Sequence, residues 1–110
     1  MKYKAIICDV DGTLIDTKIS KLPSERVTCA IRKISKKIHV GVATSRPYNF
    51  VGHIGKYLNL SGPSILVGGA QIADIVTGKT LWEQTLSKND YEAVIKILIE
   101  EKVNFFVNDN

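Results

Sequence analysis

An α/β fold, organised as a three-layer Rossmann-like parallel sheet followed by the beginning of a second α/β unit, is predicted by three observations. Short apolar runs alternate with amphipathic segments in the order βαβαβ over residues 1–67. Each run ends at a turn rich in Asp, Gly, Thr or Ser. Beyond residues 68–71 the pattern changes to a hairpin and one long amphipathic segment.

The first strand is Ala5 to Cys8, a continuous apolar run ending at Asp9-Val10-Asp11-Gly12, the pattern of a strand buried on both faces. From Ser24 to about Lys37, Val27, Ala30, Ile31 and Ile34 recur at helical spacing opposite Arg32, Lys33, Lys36 and Lys37, with Ser24 as N-cap. The basic run is a solvated helix face. Ile38, Val40 and Val42 alternate up to Ala43 and give the second strand, which stops at Thr44-Ser45-Arg46-Pro47. Pro47 suits the first turn of a helix carrying Val51, Ile54 and Leu58. Gly62-Pro63 breaks that helix, and Ser64 to Val67 forms the third strand.

Ile72 to Val76 and Thr80 to Glu83 flank Thr77-Gly78-Lys79 as a hairpin, with Trp82 packing across it. Gly78-Lys79-Thr80 is not a P-loop, because Ala73 occupies the required earlier glycine position. Ser87 caps a helix with the stripe Tyr91, Val94, Ile95, Leu98 and Ile99; a strand follows at Val103 to Val107, then a turn at Asn108-Asp109-Asn110.

Composition narrows the function classes. The chain has 110 residues, 45% of them hydrophobic, enough to fold around a core. Its net charge of +4 is spread along the sequence, without the clustered basic and aromatic residues of a nucleic-acid groove. Four apolar residues before Asp9 are too few for a signal peptide or a membrane span. Two cysteines, Cys8 and Cys29, read as core thiols of a cytoplasmic protein. His39 and His53 lack neighbouring ligands and read as ordinary strand and helix residues.

Ligands of open parallel sheets bind beyond the carboxyl ends of the strands, so the Asp9/Asp11 pair, Thr44-Ser45-Arg46 and Gly68-Gly69 fall together. Two carboxylates so close raise each other's cost of ionisation unless a cation lies between them. Mg²⁺ answers that need, since it takes one or two carboxylates, keeps waters and binds substrate phosphate. Gly12 permits the sharp turn and Thr13 offers a hydroxyl to hold it. Thr44 and Ser45 supply hydroxyls and backbone N–H groups beside a helix start, a phosphate-binding arrangement.

An apolar strand, Asp9-Val10-Asp11-Gly12-Thr13-Leu14, and a second strand closed by Thr44-x-Arg46-Pro47 together resemble the opening of haloacid dehalogenase-like (HAD) phosphatases, in their Cof-type sugar-phosphatase branch. The resemblance runs through Gly69-Ala70 and the Gly78 hairpin to the end of the chain. It implies a partial core at 1–67, a hinge at 68–71 and the N-terminal part of a cap domain at 72–110. It also implies a Mg²⁺-dependent phosphatase acting on a small phosphorylated metabolite, a sugar phosphate.

By the same resemblance, Asp9 attacks phosphorus to form an aspartyl-phosphate, and Asp11 protonates the leaving oxygen and later activates water. The metal lies on the Asp9 carboxylate and the Asp11 carbonyl, Thr44 holds a phosphoryl oxygen, and Arg46 touches substrate. Ser45 replaces the usual Gly, and Gly68 an Asn that orients substrate in many relatives. A phosphate-binding Lys and an acidic metal-binding pair, which relatives carry after the cap, are absent from the 110 residues. Without them, phosphate meets the nucleophile against a repulsion of roughly 4 kcal/mol per charge pair near 4 Å at an effective dielectric of about 20. Weak or no activity is expected of the chain alone.

Two crossovers in one direction place both helices on one face and leave the other bare, so self-association, a missing C-terminal part or a partner chain is expected. A non-catalytic subunit binding phosphate or Mg²⁺, and a phosphomutase fragment, are the alternative functions.

Overall fold

The computed structural model describes residues 2–108. Its centre is a five-stranded sheet in sequence order, β1 (Ala5–Asp9), β2 (His39–Ala43), β3 (Pro63–Leu66), β4 (Gln71–Asp74) and β5 (Thr80–Glu83). β1, β2 and β3 run parallel, whereas β4 and β5 are antiparallel to their neighbours. The fold is the expected α/β Rossmann-like class, with a mixed sheet rather than a purely parallel one. Its helices are α1 (Glu25–Ile34), α2 (Gly52–Tyr57) and α3 (Lys88–Glu100).

The hairpin is part of the core sheet. Pro63, Ser64, Ile65 and Leu66 of β3 pair with Asp74, Ala73, Ile72 and Gln71 of β4. Residues 68–71, expected as a hinge, therefore form a tight turn inside the sheet and its first β4 residue. The reason lies in β3: its outer edge offers unpaired peptide groups, and a hairpin that follows at once satisfies them at little loop-closure cost.

α1 forms as expected. Ser24 accepts from the Val27 N–H at 3.3 Å, and Val27, Ile31 and Ile34 pack against the core. Thr28, rather than Ala30, lies on the buried side. Cys29 is exposed, against its reading as a core thiol, because it falls outside the Val27, Thr28, Ile31 stripe. Cys8 is half-buried, and that burial raises its thiol pKa.

The helix expected from Pro47 is broken in two. A 3₁₀ turn at Tyr48–Phe50 precedes α2, which has only six residues. Gly52 and Gly55 weaken helix formation here, and packing shows why Gly55 is needed. A Cβ on it would lie 2.5 Å from Ile75 Cγ1, so α2 can approach the hairpin only without a side chain at that point.

Val10, Leu14, Ile15, Val40, Val42, Val51, Ile54, Leu58, Leu66 and Ala73 form one buried cluster between the sheet and the helices α1 and α2. Paired positions share a face, so Ile7, Ala43, Ile65, Ile72 and Trp82 lie on the opposite side. There Ile7 is 45% exposed, Ile65 36% and Trp82 50%. One face is covered and one is bare, as the crossover rule requires; β1 is consequently not buried on both faces, and it also forms a sheet edge.

α3 follows Ser87, whose hydroxyl oxygen accepts from the Asp90 N–H at 3.1 Å. Of its apolar stripe, Tyr91, Val94 and Ile99 are exposed and Ile95 and Leu98 half-buried. The strand expected at Val103 to Val107 does not form: residues 103–108 carry no strand, and Phe106 is fully exposed. A strand requires a partner edge, and none meets this segment among the described residues. Asp109 and Asn110 of the expected terminal turn lie outside them. No helix among the described residues is long and apolar enough to cross a membrane.

Candidate functional site

β1 carries Asp9 to the end of the sheet, in register with Ala43 of β2. Thr44 follows Ala43 directly, so the two segments start side by side. Beyond Asp9 the chain folds around one carbonyl: Val10 O accepts from the N–H groups of Thr13 (3.3 Å), Leu14 (3.0 Å) and Ile15 (3.0 Å). The Val10 side chain is fully buried while Asp9 and Asp11 are exposed. Alternation along an extended chain produces this split. Gly12, at φ +78°, then turns back so that its N–H reaches Ile15 O at 2.8 Å.

The two carboxylates have different partners. Asp9 Oδ2 accepts from the Thr13 hydroxyl at 3.1 Å. Asp11 is gripped by Arg46, whose Nε donates to Oδ2 at 2.8 Å and whose second nitrogen donates to Oδ1. The remaining guanidinium nitrogen donates to Phe50 O at 3.1 Å, which fixes Arg46 against the 3₁₀ turn. The repulsion between neighbouring carboxylates is thus relieved by an internal cation as well as by geometry.

Thr44 is buried, and Ser45 beside it is exposed. The Thr44 N–H is consumed by Ile65 O at 3.0 Å, so it is not open to an anion as the sequence suggested. Its hydroxyl accepts from the Arg46 N–H at 3.1 Å and retains a hydrogen to donate. Gly68 N–H donates to Thr44 O at 3.1 Å and Val67 N–H to Arg46 O at 3.3 Å, lacing the turn after β3 to the turn after β2. All three segments expected at the site meet there. The 3₁₀ turn and six-residue α2 offer little of the helix dipole invoked for phosphate, since that field comes from aligned peptides of a longer helix.

A divalent cation has a partial donor set here. Asp9 presents an exposed, hard oxygen ligand, while Asp11 has its carboxylate committed to Arg46 and only its backbone carbonyl to offer. That set suits Mg²⁺, which accepts few protein ligands and keeps its waters. No group of three or more His, Cys, Asp or Glu able to hold a metal occurs among the described residues. His39 Nε2 lies 2.9 Å from Pro63 O within the sheet, and His53 is exposed on α2.

Gln71 was not singled out by sequence reasoning. It is 4% exposed, donates through Nε2 to the Thr80 hydroxyl at 2.8 Å, and its buried Oε1 has no hydrogen-bond partner among the described residues. A Gln in the first position of a strand carries no sequence signal of burial.

The sequence model of the haloacid dehalogenase-like hydrolase family matches residues 6–110. No curated protein matches the chain. Among solved structures, a haloacid dehalogenase-like hydrolase from B. subtilis is 29% identical, with a TM-score of 0.77 over 91% of this chain and 34% of that one. A HAD/COF-like hydrolase from Plasmodium vivax is 28% identical, TM-score 0.71, over 90% of this chain and 37% of that one. The HAD subclass IIB sugar phosphatase BT4131, at 17% identity and TM-score 0.70 over 90% of this chain and 38% of that one, shares the fold. The chain thus spans little more than a third of the length of each of these structures.

Proposed function

The chain belongs to the haloacid dehalogenase-like hydrolase family, and on that premise we propose that it carries the nucleophile half of a phosphatase active site. The observation that carries this reading is the pairing of Asp9 with Ala43, which sets an exposed carboxylate in register with the residue that leads into Thr44. A phosphoryl group between them meets a nucleophile on one side and a hydrogen-bond donor on the other.

In this proposal Asp9 attacks phosphorus, the ester bond to the leaving oxygen breaks, and an aspartyl-phosphate forms on Asp9. Asp11 gives its proton to the leaving oxygen and then takes one from the water that hydrolyses the acyl phosphate. Arg46 must release Asp11 for either transfer, because a carboxylate engaged through both oxygens by a guanidinium is an acceptor and not an acid. Ser45, exposed beside Thr44, adds a second donor to phosphate. Mg²⁺, held by the Asp9 carboxylate and the Asp11 carbonyl, would neutralise charge between nucleophile and phosphate.

A small phosphorylated metabolite, a sugar phosphate, is the proposed substrate; it is supported by the shared fold with a sugar phosphatase. The core is proposed to run through β5, with the cap starting near Gln84. The bare sheet face and the β1 edge are proposed to be covered by the rest of the family fold, from the same polypeptide or a partner chain. The two unpaired cysteines support a cytoplasmic location.

The test is phosphoryl transfer from acetyl phosphate in Mg²⁺, read by mass spectrometry on the peptide containing Asp9. Slow labelling at Asp9, lost in Asp9→Asn and on chelation, is the expected result. Labelling that survives Asp9→Asn, or that falls on a residue other than Asp9, sinks the mechanism.

A further inference from the structure

Tyr48, the first residue of the 3₁₀ turn, is held from three directions. Its hydroxyl donates to Val76 O, in the turn between β4 and β5, at 2.5 Å. Its ring lies between two glycines: a Cβ on Gly52 of α2 would stand 2.7 Å from Tyr48 Cε2, and one on Gly78 of the hairpin turn 2.7 Å from Cε1. Approach that close is open only to residues without a side chain, so the ring has one seat. The seat is itself fixed, because Asp74 accepts from the N–H groups of Val76 at 3.0 Å and Thr77 at 2.8 Å and so sets the turn that carries the Val76 carbonyl.

The same 3₁₀ turn ends at Phe50, whose carbonyl accepts from Arg46 Nη1 at 3.1 Å. Phe50 N–H is bonded to Pro47 O at 3.0 Å and Val51 N–H to Tyr48 O at 3.1 Å, so a shift of Tyr48 carries the Phe50 carbonyl with it. Of the N–H donors on the Arg46 guanidinium, Asp11 takes two and Phe50 O takes another. The Asp11 bonds have to open for the proton transfers proposed above, whereas the bond to Phe50 O does not. Phe50 O is then the fixed point from which Arg46 lets go of Asp11 and takes it back.

We propose that Tyr48 is a positioning residue for Asp11. By pinning the 3₁₀ turn to the β4–β5 hairpin it places Phe50 O, and through it the Arg46 guanidinium, so that Asp11 is returned to one position. Tyr48 itself touches neither phosphate nor the reacting carboxylates in this role. A small misplacement of a reacting group costs rate even when its cause lies away from the chemistry. The assignment of acid and base work to Asp11 rests on the phosphatase reading; the relay from Tyr48 to Arg46 does not.

The experiment follows the Arg46 Nε–H by NMR in the 110-residue chain and its variants. Tyr48→Phe keeps the ring and loses the bond to Val76 O, and Gly52→Ala pushes the ring from α2. Both are expected to speed exchange of the Arg46 Nε–H with solvent, by up to about tenfold for Tyr48→Phe, the equivalent of one hydrogen bond. Val27→Ala, on α1 against the core, lowers stability without touching the relay and is expected to leave that exchange unchanged. With acetyl phosphate, Tyr48→Phe should label Asp9 at the wild-type rate, because acetate leaves without a proton. It should also lengthen the life of the aspartyl-phosphate, whose hydrolysis needs Asp11 as base. The proposal is overturned if neither Tyr48→Phe nor Gly52→Ala moves the Arg46 exchange, if Val27→Ala moves it as far, or if the lifetime of the label on Asp9 is unchanged in Tyr48→Phe. Faster Arg46 exchange together with label on a residue other than Asp9 would remove the phosphatase reading and leave Tyr48 as the support of the Arg46–Asp11 pair.

Discussion

Arg46 and Asp11, 35 positions apart in sequence, are joined by two parallel hydrogen bonds, one from Nε to Oδ2 at 2.8 Å. The same guanidinium donates to Phe50 O, so the turn after β1 is tied to the turn after β2 through a single side chain. Their side chains are 27% and 40% exposed, which places the pair between a surface and a buried ion pair. A double-mutant cycle with Arg46→Met and Asp11→Asn should give a coupling of about 0.5–1 kcal/mol in urea denaturation, weakening with salt. Strict additivity of the two single changes would show that the pair is not held in solution.

Close packing of α2 on the hairpin makes a second outcome testable. A methyl group on Gly55 would meet Ile75 Cγ1 at 2.5 Å and the Ile75 carbonyl at 3.0 Å. Helix propensity alone favours alanine, yet Gly55→Ala should destabilise the chain by about 1–3 kcal/mol, the cost of overpacking. A stabilised variant in thermal denaturation would mean that α2 and the hairpin are not in contact.

The hairpin turn carries its own pH dependence. Asp74 accepts from Thr77 N–H at 2.8 Å, Val76 N–H at 3.0 Å and the Thr77 hydroxyl at 3.0 Å. The Thr77 backbone bond first, then that of Val76, lowers the carboxyl pKa, with desolvation opposing. A folded pKa below the unfolded one means that the contribution is fully present above the unfolded value of about 3.9 and is lost as pH falls through the folded value. Relative to Asp74→Ala, the wild type should therefore be more stable at neutral pH, and the difference should shrink in acid below about pH 4. Melting curves across that range check it; a difference that grows in acid would contradict the turn geometry.

Substitutions on the two sheet faces should part sharply, although the residues are neighbours in sequence. Leu66 is fully buried against the helices, and Leu66→Ala should cost about 2–5 kcal/mol. Ile65 and Trp82 lie on the bare face, where Ile65→Lys and Trp82→Lys should lower hydrophobic-dye binding and any self-association with little loss of stability. Large destabilisation by Ile65→Lys would show that this face is already covered.

Much of this architecture was legible from local pattern. Ser24 and Ser87 announced their helices, because capping is settled within a few residues. The strand ends at Asp9, Ala43 and Leu66 were close to their expected positions, since apolar runs bounded by turn residues mark buried strands. What failed depended on partners distant in sequence. The Val103 to Val107 segment has strand composition without an edge to join.

The residue types that can do chemistry, Asp9, Asp11, Thr44, Ser45 and Arg46, and their gathering at one end of a parallel sheet followed from the sequence by itself, because spacing and strand periodicity are local properties. Which groups are already engaged was decided only by tertiary structure. Arg46 closes on Asp11 and the Thr44 N–H is spent on Ile65, both through contacts between segments far apart along the chain. Hydrogen-bond satisfaction is a three-dimensional condition, and no one-dimensional pattern encodes it.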